Sequence, residues 1–241
     1  MSLLGTLQGT LVNTFAIIIG AVIGVIIGRF IPKRINDIAM QGIGLAVLLI
    51  GLQMALQSRQ VLLLIFSLVI GGIVGELLRL EEKLLDLGKK IGHRVGGGQS
   101  RVARAFVYSA LLYCVGAMGI TGSLESGLMG QHQILYAKSA IDGISAIIFA
   151  STMGVGVAFS ALPVLFYQGS IVLLARWASF FLSDTVIIEL SAAGGLLIVG
   201  IGLNLLQIKN LKIGNLLPAL LFNALLVYLL GMKPLRRPIG T

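Results

Sequence analysis

Residues 11–34 read LVNTFAIIIGAVIGVIIGRFIPKR. Between 11 and 31 the only charge is Arg29, near the end, and Pro32, Lys33 and Arg34 close the run. About 20 consecutive apolar residues match the roughly 30 Å hydrocarbon core of a bilayer at about 1.5 Å per helical residue, so the stretch predicts a membrane-spanning helix. Gly20, Gly24 and Gly28 fall four residues apart. That spacing puts them on one face, where a second helix can approach closely. Asn13 adds a carboxamide to the same helix.

The rest of the chain repeats this character. Of 241 residues, 57% are hydrophobic and only 11% charged, and the mean hydropathy is +1.01. Soluble domains run nearer a quarter charged. Further apolar stretches at 38–56, 61–78, 102–120, 139–159, 163–182, 191–208 and 213–230 give about eight crossings. The prediction is an all-α polytopic bundle, one transmembrane domain over 1–241. Residues 80–98 break the pattern. Leu80, Leu84, Leu87, Ile91 and Val95 form a stripe at helical spacing with charges elsewhere, followed by the flexible GGGQS at 96–100. This predicts an amphipathic helix in the membrane interface, with a solvated loop helix as the alternative.

The formal charge of +9 does not indicate nucleic-acid binding, because the basic residues cluster in loops with no soluble domain to present them. Placing the N-terminus outside puts Arg29, Lys33, Arg34, Arg79, Lys83, Lys89, Lys90, Arg94, Arg101, Arg104, Lys209 and Lys212 inside. Arg59, Lys138 and Arg176 fall outside, which is a positive-inside bias. Lys233, Arg236 and Arg237 in the tail run against it. The single cysteine, Cys114, excludes an intrachain disulfide. The first fifteen residues lack a basic n-region, so the first apolar stretch reads as a retained helix rather than a cleaved signal.

GLAVLLIGLQ (44–53) and GLLIVGIGLN (195–204) share Gly-Leu, five apolar residues, Gly-Leu and a carboxamide, making Gln53 and Asn204 pseudo-equivalent. The two lie in spans of opposite direction. Spans 1–3 and 6–8 then form an inverted-topology repeat, a frequent construction in secondary transporters.

GSLESGLMGQHQILYAKSAIDG (122–143) concentrates polar residues between two apolar stretches. A charge at the centre of a spanning helix costs about 2.5–3.5 kcal/mol on insertion scales. Asp142 lies four residues after Lys138, within salt-bridge reach on one helical face. It reads either as a cation or proton ligand or as half of a structural pair. Glu125 sits among Gly119, Gly122, Gly127 and Gly130 with Ser123 and Ser126, so 119–135 predicts a broken or re-entrant segment lining a cavity. The alternative is an ordinary Gly-rich loop. Ser151 and Thr152 next to Gly154 and Gly156 would let a helix unwind toward a cation. Asn13, Gln53, Gln168, Asn204 and Asn223 complete the set of polar groups expected to serve a small solute, each also able simply to join helices.

No P-loop, hydrolase elbow or Cys/His metal spacing is present, so neither an enzyme nor a cofactor is expected. Four stretches, GTLVNTFAIIIGAVIG (9–24), GAMGITGSLESGL (116–128), KSAIDGISAIIFAS (138–151) and YQGSIVLLA (167–175), resemble the small bacterial inner-membrane proteins of the YdfK and YqgA type, a domain of unknown function. The resemblance covers nearly the whole chain. It implies a bacterial cytoplasmic membrane and supplies no substrate or catalytic residue. The expectation is a secondary-active transporter for a small polar solute or ion, coupled to a cation or proton. Its partners are membrane lipids, a small solute or monovalent cation, and a second copy of the chain meeting through the glycine faces. The alternatives are a channel or passive pore, and a membrane-bound regulatory or scaffold protein.

Overall fold

The computed structural model describes residues 3–95 and 99–230, and every regular element among them is helical. After a short α1 (Leu3–Thr6) come α2 (Gln8–Gly28), α3 (Lys33–Ala55), α4 (Val61–Leu78), α5 (Leu80–Val95) and α6 (Gln99–Cys114). Then follow α7 (Ala117–Met129), α8 (Gln133–Met153), α9 (Gly156–Phe159), α10 (Ala161–Leu173), α11 (Ala175–Phe181) and α12 (Asp184–Leu205). A 3-10 turn, Ile213–Leu216, leads into α13 (Pro218–Leu229).

Among the described residues, six helices are long and apolar enough to cross a membrane: α2, α3, α4, α8, α12 and the run 156–173 formed by α9 and α10. Helices α6 and α7 make a seventh as a pair bent by 60°. The expected eighth, 213–229, is a shorter apolar segment. Two boundaries differ from the reading of the sequence. The sixth span does not start at Pro163: the apolar run begins at Gly156, and Pro163 sits in the first turn of α10, where a missing N–H removes no helical bond. Helix α8 begins at Gln133, six residues before the expected start. The polar residues Gln133 and Lys138 kept the start of this helix out of the apolar stretch, although Lys138 is paired with Asp142 within it.

Small residues set the packing. On α2, a Cβ at Gly20 would lie 2.2 Å from the Gly143 carbonyl oxygen, at Gly24 2.3 Å from that of Ile147, and at Gly28 2.4 Å from that of Ser151. Contacts advance together along both chains, so α2 and α8 run parallel. Helices α3 and α12 are antiparallel: Gly44 meets Leu206, Gly202 meets Leu48, and a Cβ on Gly51 would sit 2.7 Å from the Gly195 carbonyl oxygen. The matched segments 44–53 and 195–204 therefore pack directly on each other. Helices α4 and α13 are also antiparallel, Gly71 lying on Ala219 and Gly75 on Asn215. The glycine stripe of α2 is thus occupied by α8 of the same chain, and the expected dimer contact through it is not offered.

Helix α5 is anchored at its start. The Glu81 N–H donates to Asn215 Oδ1 at 2.7 Å, and the Gly214 N–H donates to Glu81 Oε2 at 2.6 Å. Burial raises the Glu81 carboxyl above its ordinary range, opposed by that Gly214 bond. Gly88 lets α5 lie close on Ala103 of α6, while Leu87 of the predicted stripe is exposed. The side chains of Ile91 and Val95, residues 96–98 of the connector, and the basic tail lie outside what is described. Lys212 meets Glu76 at 2.6 Å, a bond that raises the Lys212 ammonium above its usual range. Glu189, 1% exposed within α12, accepts from Ser58 Oγ at 2.6 Å and from the Arg59 N–H at 2.7 Å. It thereby holds the α3–α4 turn.

The chain directions put Arg29, Lys33, Arg34, Arg79, Arg101, Arg104, Lys209 and Lys212 at the end of the bundle where α2 stops. Arg59 and Arg176 lie at the opposite end. The bundle has one basic face.

Candidate functional site

The polar centre is built by α2, α8 and α10 around the broken pair α6–α7. Asp142 stands nine residues into α8, about 14 Å along the helix axis, well inside the bundle rather than at its margin. Lys138 Nζ lies 3.0 Å from Asp142 Oδ1 and 2.8 Å from Oδ2. From α2, Asn13 Nδ2 donates to Asp142 Oδ2 at 3.0 Å and to Gln168 Oε1 of α10 at 3.3 Å. Asn13 and Gln168 are fully buried, Asp142 is 4% exposed and Lys138 8%. The parallel α2–α8 crossing makes this bond network, since without glycines on α2 the two backbones could not bring Asn13 to Asp142.

The helix break faces the pair. Helix α6 stops at Cys114 and α7 starts at Ala117, with Gly116 between them at φ 144° and ψ 147°. Only glycine adopts this extended positive-φ geometry without strain. No side chain caps α7; the Gly119 N–H turns back to the Gly116 carbonyl at 3.2 Å and the Val115 N–H to the Leu111 carbonyl at 2.9 Å, and the helix ladder does not run across the break. A cavity of about 280 Å³ opens at this point, lined by Tyr113, Gly116, Ala117, Lys138, Asp142 and Ser191 among others. Tyr113 is 1% and Ser191 2% exposed, and neither hydroxyl has a partner. The far side of the break carries Gly119, whose missing side chain leaves room for Lys138 Cε and Gln168 Nε2, 3.5 and 3.9 Å from where a Cβ would be. Gln168 Nε2 and Asn13 Oδ1 are also unpartnered. One buried ion pair, the break between two helices and the unpartnered Tyr113 and Ser191 hydroxyls line this cavity, and Asn13 bonds to the pair without lining it.

A model of the family described as "Protein of unknown function (DUF554)" matches residues 8–228. The chain belongs to this family. The uncharacterized membrane protein YdfK of Bacillus subtilis (strain 168) is 35% identical over 210 residues, covering 86% of this chain and 89% of that protein. The uncharacterized protein YqgA of Escherichia coli (strain K12) is 29% identical over 200 residues, covering 79% and 83%. No solved structure matches. Membership agrees with the resemblance read from the four quoted stretches, and the six long apolar helices agree with a family that contains a membrane protein.

The predicted site residues do not all converge. Asn13, Lys138, Asp142 and Gln168 are brought together. Ser123 is fully buried on α7 with its hydroxyl unpartnered, one turn beyond Gly119 on the same face. Ser126 instead latches the end of α7, donating to the Thr6 carbonyl at 2.9 Å and meeting His132 Nδ1 at 2.8 Å. Glu125 is half-buried and makes no ion pair among the described residues. The expected irregular backbone of 119–135 is helical up to Met129, and the break falls earlier, at 115–116. Glycines in that segment provide close helix packing: a Cβ on Gly127 would lie 2.3 Å from the Val172 carbonyl oxygen.

Ser151 and Thr152 line a second cavity of about 560 Å³ on the basic face, with Lys33, Arg101, Arg104 and Asn204. Both hydroxyls bond back to their own helix, and the Thr152 carbonyl accepts from Arg101 at 2.5 Å. Asn204 holds the backbone of Leu211 from both sides, at 2.7 and 2.8 Å, and reaches Tyr108. Gln53 is exposed, so the two carboxamides of the matched segments share no role. Asn223 is fully buried against α4 with both amide atoms unpartnered, apart from the residues lining the first cavity. Tyr113, Gly116 and Ser191 were missed. The pattern that could have found Gly116 is CVGAMG (114–119), two glycines three residues apart in an apolar run; nothing local marks Tyr113 or Ser191.

Replacing Gly116 by alanine tests the break without crowding it, because the only neighbour of an added Cβ is Met54 Cε at 3.9 Å. The expected cost is about 1–3 kcal/mol from the backbone alone, read as a lower unfolding midpoint in detergent. An unchanged midpoint would mean that the break is not held in this conformation.

Proposed function

We propose that the protein is a secondary-active transporter for a small polar solute or ion, coupled to a cation or proton. The observation that carries this reading is the break at Gly116 opening beside the buried Lys138–Asp142 pair. A buried ion pair is weak evidence for stability on its own, since well-packed apolar residues often serve as well or better. Ionisable groups inside a membrane bundle point to solute or ion pathways. Broken helices whose free ends flank a polar cavity are a recurrent way of building such a site.

The internal arrangement supports an inverted repeat in which α2, α3 and α4 correspond to α10, α12 and α13. Each pair runs in opposite directions, and Asn13 of α2 bonds to Gln168 of α10 across the centre. The basic face lies in the cytoplasm of a bacterial inner membrane, leaving the N-terminus outside, and α5 rests in the inner interface. A homodimer in this reading uses lipid-facing residues such as Phe15, Ile19 and Val22, since α8 occupies the glycine stripe.

The test is flux through purified protein in liposomes loaded with sodium- or pH-sensitive dyes. Small polar solutes are added under an imposed sodium or proton gradient. Saturable solute uptake that collapses with the gradient supports the transporter. Large unitary currents in planar bilayers would replace it with a pore. Full cellular function without any such flux, lost on removal of 81–98, would replace it with a scaffold.

A further inference from the structure

We infer that the solute held at the Gly116 break is a zwitterion of the size of a small α-amino acid. This rests on the transporter reading and names its substrate class. The site as it stands is electrically neutral, because Lys138 and Asp142 cancel. Adding a lone cation or a lone anion would leave one uncompensated charge in a nearly dry pocket, which costs several kcal/mol. A zwitterion adds no net charge. It can exchange the single internal ion pair for two: its carboxylate on Lys138 and its ammonium on Asp142.

The surrounding groups are sorted in the same way. Donors stand with Lys138: Gln168 Nε2 shares the space over Gly119 with the lysine side chain and has no partner. The uncapped start of α7 lines the same cavity, and helix N-termini favour a carboxylate. Acceptors stand with Asp142: Asn13 donates an Nδ2–H to it and keeps an Oδ1 with no partner among the described residues, and the carbonyl end of α6 at Tyr113 and Cys114 is suited to an ammonium. The Tyr113 and Ser191 hydroxyls, buried and unpartnered on the cavity wall, can donate or accept. An α-amino acid carries its two charged groups on one carbon, close enough together to meet Lys138 and Asp142, whose own charged atoms lie 2.8–3.0 Å apart. A cavity of about 280 Å³ is large enough to hold a solute of this class. With a neutral solute, all net charge moved belongs to the coupling ion, so uptake is electrogenic.

The experiment is the thermal unfolding midpoint of the purified full chain with glycine, L-alanine or L-serine, against propionate and ethylammonium as the two halves of the ligand. The expected result is a concentration-dependent rise with at least one amino acid, with an apparent Kd at least tenfold below that of either half. Lys138→Met and Asp142→Asn each abolish the rise. The paired variant Lys138→Met with Asp142→Leu, in which no buried charge is left alone, folds and also shows none. An equal rise with propionate would make the site anionic-ligand only, and with ethylammonium cation only; either overturns the zwitterion. No rise with any amino acid overturns it too, while gradient-driven uptake of another solute in the liposome assay would leave the transporter standing.

Discussion

Asp142→Asn lowers stability by about 3–5 kcal/mol and abolishes gradient-driven uptake, while the protein still reaches the membrane. The stability loss follows from leaving the Lys138 ammonium, 8% exposed, without its counter-charge, since removing one member of a buried pair is far more damaging than removing both. Asparagine keeps one oxygen to accept from Asn13 or Lys138, so the bundle does not come apart. Folding and function are then separated by the double variant Lys138→Met with Asp142→Leu. Two apolar side chains of similar length fill the space, and Asn13 retains its bond to Gln168. The double variant is expected to unfold within about 1 kcal/mol of wild type or above it, and yet to transport nothing. Unfolding midpoints and liposome uptake on the same preparations decide the matter. Uptake by the double variant would make the pair a structural bridge and remove the basis of the transporter assignment.

The class of fold was legible because the bilayer sets helix length so tightly: 11–31, 38–56 and 61–78 were read within a few residues of α2, α3 and α4. Reading failed where polar groups satisfy one another inside the bundle. Lys138 and Asp142 were read as a pair on one helical face, but near the helix end, because hydropathy charges Lys138 its full cost and so left it just outside the predicted span 139–159. The Gly-rich segment 119–130 looked irregular, but most of those glycines serve helix contact, and the one that breaks the chain, Gly116, is distinguished only by its φ. Glu189 falls between the apolar stretches 163–182 and 191–208, although it is a buried acceptor for the α3–α4 turn. Its donors are about 130 residues away, and nothing local announces them. Asn13 and Gln168 were selected as single polar residues in apolar runs, and Lys138 with Asp142 as a pair four residues apart. Their convergence depends on the parallel α2–α8 crossing, which spacing on one helix does not specify.

That crossing carries the other large effect. Gly24→Val is expected to cost at least about 3 kcal/mol, at the top of the range for overpacking, and to reduce uptake with it. A Cβ at 24 would lie 2.3 Å from the Ile147 carbonyl oxygen and 2.9 Å from the Ala150 Cβ. The obstacle is mostly backbone, so no rotamer change relieves it, and the helices must separate. Within lipid there is little apolar driving force to restore the contact elsewhere, because helix association there rests on packing. Asn13 lies three turns up the same helix, so tilting α2 away from α8 also draws its amide off Asp142. The control is Gly42→Ala on α3, where an added Cβ meets nothing within 4 Å. There the lost backbone freedom of the unfolded chain and the better helix propensity predict a gain of about 0.5–1 kcal/mol. Two glycine substitutions in neighbouring helices should therefore move the unfolding midpoint in opposite directions. If Gly24→Val is tolerated as well as Gly42→Ala, the backbones of α2 and α8 are not in contact. The polar centre that depends on their approach would then have to be rebuilt.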